Sequence, residues 1–225
     1  MYINVYQRSW FKALSAFAWL TLVFGGLLTL VDYQTKSTSA PDLTLFHIHS
    51  RFSGVLLRLI DEYSYFTNWS VLAVAVTFTK LAYGKSRITT TMKILIPTTL
   101  LMIIITGILY NTLIAPSNPP QGLFVYSSAC EHIITPILTV IVWIAVGPHT
   151  MSFKKIPQYF VIPIIYVFYI AARGSIDHQY PYGFLNAAAH GYKGFLLTSI
   201  EILIFGFVLL IVLLPIDRLL AKRQG

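Results

Sequence analysis

Six stretches of the chain, residues 10–31, 63–82, 92–114, 124–146, 157–173 and 191–214, are apolar and almost free of charge. A hydrocarbon core ~30 Å thick is crossed by about 20 apolar residues of helix. Inside lipid only a helix or a closed barrel satisfies its own backbone, and runs this long are helical rather than β. The sequence therefore predicts an all-α polytopic membrane protein with six transmembrane helices. Composition agrees: 11% of residues are charged, against roughly 25% in soluble domains. The second stretch is the most polar, with Ser64, Thr67, Asn68 and Ser70 in its first turns, and the fifth is short and contains Pro163.

The basic residues set the orientation. The N-terminal segment, the second and fourth loops and the C-terminal segment hold 11 of the 16 lysines and arginines, and the other three loops hold 5. That asymmetry places both termini in the cytoplasm and requires an even number of crossings, as expected of a bacterial plasma (inner) membrane protein. Dropping the polar second helix would spoil the alternation. The formal net charge of +8 is spread over these loops, with no basic, aromatic-laced patch to hold nucleic acid. The first apolar run leads into Asp32-Tyr33-Gln34 without a small-residue cleavage pattern and reads as a retained helix. No internal repeat or long linker divides residues 1–225, which read as one domain. The single cysteine, Cys130, allows no intrachain disulfide and reads as a small buried hydrophobe. In the first outer loop, Phe52, Leu56, Leu59 and Ile60 recur at helical spacing opposite Arg51, Arg58 and Asp61. This predicts a short helix over 50–61 lying in the headgroup layer. Residues 115–122, with three prolines, read as a rigid turn.

Polar side chains within spans are costly and mark function. They gather toward the outer leaflet. Thr67 lies ~6 Å below the outer end of the second helix and His132 ~12 Å below that of the fourth, at 1.5 Å per residue. Asn111 closes the third helix on that side and Arg173 the fifth; Asp177, His178, Tyr180, Asn186 and His190 follow in the next outer loop. Ser128 shares the helix face of His132, and Pro136 leaves the His132 carbonyl without its helical donor, which opens the helix locally. Glu131 points about 100° away and is expected to pair with an outer-side base; His47, His49 and His149 are expected in loops. Each candidate also has a plain structural reading. His132 can bridge two helices, Thr67 can bond its own helix backbone, and Arg173 can reach the interface.

The segment Tyr63-Ser64-Tyr65-Phe66-Thr67-Asn68-Trp69-Ser70 resembles the second-helix signature of the androgen-induced-gene and androgen-dependent-TFPI-regulating proteins, and their bacterial branch more closely. Further points of resemblance are Tyr110-Asn111, Glu131-His132 with Pro136, Gly147-Pro148, Arg173-Gly174, Tyr180-Pro181-Tyr182-Gly183-Phe184 and Gly191-Tyr192. The resemblance runs from about residue 63 to residue 220, and around His132 the pattern departs from that of the animal members. It implies an intramembrane threonine hydrolase of lipid esters, such as fatty acid esters of hydroxy fatty acids. Thr67 takes the nucleophile's place and His132 the base's.

Such chemistry suits the residue types. A threonine hydroxyl attacks only when a neighbouring base takes its proton, and an imidazole can return that proton to the leaving alcohol. Asn68, Asn111, Ser128 and Arg173 are candidates for contacting the substrate or its oxyanion. The scheme calls for no metal and no organic cofactor. Its partners are a fatty-acyl ester and membrane lipids, and composition leaves the oligomeric state open. Two other classes compete: a non-catalytic transporter or scaffold, in which Thr67 and His132 join helices, and a b-type haem protein with His132 and His190 as axial ligands.

Overall fold

The computed structural model describes residues 2–31, 54–177 and 180–223. Among them the chain is helical, without a strand; one isolated antiparallel bridge joins Tyr2 and Arg87. Five helices are long and apolar enough to cross a bilayer: Val5–Val31, Met92–Ile114, Phe124–Val146, Phe153–Ile176 and Ala187–Arg223. The molecule is an integral membrane protein.

In chain order, α1 is Val5–Val31, α2 is Gly54–Glu62 and α3 is Phe66–Tyr83. Helix α4 is Met92–Leu109 and continues as a widened turn over Tyr110–Ile114. Helix α5 has three parts: Phe124–Ala129, a second widened turn Cys130–Ile134, and Thr135–Val146. Two short turns at Phe153–Lys155 and Ile156–Tyr159 lead into α6, Val161–Asp177. Helix α7, Ala187–Arg223, bends at Gly191, whose φ of 70° a side-chain-bearing residue rarely adopts.

Several boundaries differ from the sequence reading. Residues 63–65 form a turn after α2 and not the first turn of α3, since the backbone N–H groups of Tyr63 and Ser64 bond back to Leu59 and Asp61. Where a short helix is expected over 50–61 the structure has the nine residues of α2; the first positions of that segment, Ser50 to Ser53, lie outside the described residues, as do His47, His49 and His178.

The helices alternate in direction. At the end carrying both described termini, Arg8 donates to the carbonyls of Ala82 (2.6 Å) and Gly84 (2.9 Å), and Gln7 donates to that of Val146 (2.9 Å). These carbonyls end α3 and α5, where a cation or side-chain donor satisfies groups the helix leaves unpaired. At the same end the buried His149 Nδ1 meets Asp217 Oδ1 at 3.2 Å, and Met151 N–H donates to Asp217 Oδ2 at 2.7 Å. The loop after α5 is thereby tied to α7. The opposite end carries the end of α1, all of α2 and the start of α3.

Helix α1 packs most extensively on α3, with Phe11, Leu14 and Ala18 buried against Val71, Val74, Ala75 and Phe78. Helix α3 is joined to α4 by Thr77–Thr99 (2.9 Å) and Thr106–Ser70 (2.8 Å) hydrogen bonds. In a membrane each such bond contributes ~0.6 kcal/mol on average. The polar residues that keep α3 out of the strongly apolar group are therefore turned inward and paired.

Candidate active site

Thr67 stands in the first turn of α3. The turn before it is held by α2: Ser64 Oγ donates to Ile60 O (2.5 Å), and Tyr65 adopts an extended conformation, φ −69° and ψ 141°, before helical geometry begins. The first backbone amides of a helix lack intrahelical acceptors and form its positive end. A hydroxyl here sits where negative charge is favoured.

His132 lies in the widened turn of α5. The turn closes with Thr135 N–H on the Cys130 carbonyl, and Pro136 has no N–H to offer. The His132 carbonyl is instead taken by Asn111 of α4, whose Nδ2 donates to it at 3.1 Å and to Gly107 O at 2.7 Å. Widened turns are commonly found at functional sites. Here two of them lie side by side and share this side-chain bond.

The two side chains meet. Thr67 Oγ1 is 3.1 Å from His132 Nε2, and both residues are buried, at 7% and 8% exposure. On the other side of the ring, Nδ1 is 3.0 Å from the Ser128 carbonyl and 3.3 Å from its hydroxyl. A carbonyl only accepts, so Nδ1 carries the hydrogen and Nε2 presents a lone pair to the threonine. Tyr110 stacks on the imidazole at 3.4 Å with a 16° interplanar angle, and Ser128 Oγ donates to the Tyr110 hydroxyl at 2.6 Å. The ring is fixed in place and in tautomer.

Two spaces border Thr67. The larger, of about 620 Å³, is bordered by Thr67, Asn68, Ser128, Glu131 and His132 within, and by the segments 117–121 and 181–184 at its rim. The smaller, of about 70 Å³, is lined almost wholly by carbon and runs from Thr67, Tyr110 and Tyr182 to Phe160, Ser199 and Leu203. Tyr182 borders both, beside Tyr65 (5.6 Å between centroids) and stacked on Phe184 (5.2 Å). Its phenol lies near Thr67 and Phe66, and desolvation pushes its pKa up. The phenol is neutral at physiological pH and keeps its hydrogen to donate.

The remaining sequence candidates are divided. Asn68 borders the large cavity, but its Nδ2 donates to Glu62 O (2.6 Å) and Oε1 (3.3 Å). Ser128 anchors His132. Asn111 braces the His132 backbone and faces a separate groove between α4 and α5. Arg173 borders neither space: it pairs with Asp61 at 2.5 Å and also donates to Ser64, latching α6 to α2. His190 is exposed at the start of α7.

Glu62, Glu131, Tyr110 and Tyr182 were not singled out as site residues. Thr29 Oγ1 donates to Glu62 Oε2 at 2.9 Å. A Cβ placed on Gly25 of α1 would sit 2.7 Å from Glu131 Oε1 and 3.5 Å from Glu62 Oε1, so both buried carboxylates approach one point on α1 that only glycine leaves open. The sequence signal was the Gly25-Gly26 pair in the last third of an apolar helix, with Thr29 one turn later.

The chain matches no family model, no curated protein and no solved structure.

Proposed function

We propose that the protein is an intramembrane lipid-ester hydrolase with Thr67 as nucleophile and His132 as general base. The observation that carries this reading is the 3.1 Å contact of Thr67 Oγ1 with an imidazole nitrogen whose partner nitrogen is committed to a carbonyl. Attack by Thr67 on an ester carbonyl transfers the hydroxyl proton to His132 Nε2 as the Oγ–C bond forms. Collapse breaks the bond from carbon to the alcohol oxygen, and His132 returns the proton to that oxygen. Water entering the large cavity then gives a proton to His132 and attacks the acyl-threonine; the bond from the acyl carbon to Thr67 Oγ1 breaks, His132 returns the proton to Oγ1, and a carboxylic acid is released. The oxyanion is met by the Tyr182 hydroxyl and the positive end of α3. In this reading α3 is the sixth crossing: 18 residues span about 27 Å at 1.5 Å each. The termini are cytoplasmic, the reaction centre faces the outer leaflet, α2 lies in the headgroup layer, and the membrane is a bacterial inner membrane. Resemblance to the androgen-induced-gene family is part of the same proposal.

The test uses purified protein in mixed micelles with a lipid ester. Hydrolysis is expected in the parent protein and lost in Thr67→Ala and in His132→Ala. Unchanged hydrolysis in both variants ends this reading.

A second reading, proton-linked transport of a small solute, draws on the two buried carboxylates Glu62 and Glu131 bordering an open cavity. Buried intramembrane acids are common on proton paths. Solute uptake into proteoliposomes that depends on Glu131 and survives Thr67→Ala would favour it over hydrolysis.

A further inference from the structure

During hydrolysis the alcohol must leave and water must enter while the acyl group is still on Thr67. The large cavity with the polar, loop-lined rim therefore serves the alcohol and the water. The fatty-acyl chain has the carbon-lined space that also borders Thr67 and Tyr182. Acidic groups stand on the alcohol side. Glu62 and Glu131 border that cavity, buried at 5% and 7% exposure, and among the described residues no lysine or arginine does. Resting on the hydrolase reading, we propose that the substrate is a fatty-acyl ester of an alcohol without negative charge, of the acylglycerol class, and that these two carboxyl groups select against an alcohol bearing a carboxylate.

The charge is held in place. Both oxygens of Glu62 accept hydrogen bonds, Oε2 from the Thr29 hydroxyl at 2.9 Å and Oε1 from the Asn68 amide at 3.3 Å. Acceptance at both oxygens is the pattern of an ionised carboxylate. Asn68 follows Thr67 in the chain and Glu131 precedes His132, and all four residues border the same cavity. A substrate carboxylate there would need a cation, and the arginine that the sequence offers for that purpose is committed elsewhere. Arg173 pairs with Asp61 at 2.5 Å and borders neither space. At the rim stand Ser117, Asn118 and Gln121, neutral side chains able to exchange hydrogen bonds with hydroxyl groups. Two like charges ~10 Å apart, at an effective dielectric constant of about 20, repel by an energy equal to ~10-fold in affinity. A glycerol hydroxyl in the same place meets no such repulsion.

The experiment compares kcat/KM for 1-palmitoylglycerol, 3-palmitoylglyceric acid and the methyl ester of that acid, at equal mole fraction in neutral-detergent micelles, with Thr67→Ala as background. The pH is about 7.5, where the free carboxyl is ionised. The acyl chain is the same in all three, and the methyl ester removes the charge while keeping the shape of the alcohol. The acylglycerol and the methyl ester are expected to exceed the free acid by ~10-fold or more. Glu62→Gln, or Glu131→Gln should the first not fold, is expected to narrow that ratio severalfold. Each variant is judged by its own ratio, so a general loss of turnover cancels. A parent protein that cleaves the free acid as well as the acylglycerol overturns the proposal while leaving the hydrolase intact, and so does a ratio that neither variant changes. Cleavage of no ester above the Thr67→Ala background sinks the hydrolase reading and this proposal together.

Discussion

Replacing Asn111 by leucine removes the donor that the His132 carbonyl takes in place of the N–H that Pro136 lacks. The bond measures 3.1 Å and is part-buried, and leaving a carbonyl unpaired away from water costs ~1–3 kcal/mol. The upper part of that range applies, because in hydrocarbon no water can take the donor's place. Pro136→Ala restores a backbone N–H one turn after His132, so Asn111→Leu should cost much less in that background. The assay is a double-mutant cycle by unfolding in detergent micelles, read together with ester turnover. A coupling of about 1 kcal/mol or more is expected, since residues sharing one hydrogen-bonding group are strongly non-additive. Additivity within ~0.3 kcal/mol would refute the claim that Asn111 compensates for Pro136.

Other consequences are as specific. Tyr182→Phe should lower kcat by ~10²–10³ with KM little changed, the size of losing one oxyanion donor; a change confined to KM argues against that role. Ser128→Ala should alter turnover less than threefold, because the backbone carbonyl at 3.0 Å, not the hydroxyl, holds His132 Nδ1; a steady-state assay decides it. Gly25→Ala should destabilise by ~1–3 kcal/mol through overpacking, as its Cβ would meet Glu131 Oε1 at 2.7 Å, seen as a lower unfolding midpoint in micelles.

The helical class and most of the span positions were legible in the sequence because lipid imposes a length and an apolarity that composition displays. Thr67 and His132 were legible for the converse reason: a polar group inside a span is rare enough to stand out. The Asn111 bond to His132 was half legible. Pro136 signals a carbonyl without its donor, but which helix supplies the donor depends on packing. Arg173 was read toward a substrate because the fold of α2 over α6, which brings Asp61 and Ser64 to it, leaves no local mark. Tyr182 sits in a Pro-Tyr-Gly loop that only tertiary structure returns to Thr67. The carboxylate of Glu131 lies against Gly25 of α1. Its direction round the helix was readable and its neighbour was not.

The account depends on the Thr67 hydroxyl being the group that a base prepares for attack. Treating the purified protein with a lipophilic fluorophosphonate and mapping the adduct by mass spectrometry reads that group directly. The adduct is expected on Thr67, absent from Thr67→Ala and slowed by orders of magnitude in His132→Ala. The hydroxyls of Ser64 and Ser70 already donate to the carbonyls of Ile60 and Phe66. An adduct on either of these, on Ser128, or on no residue would contradict it.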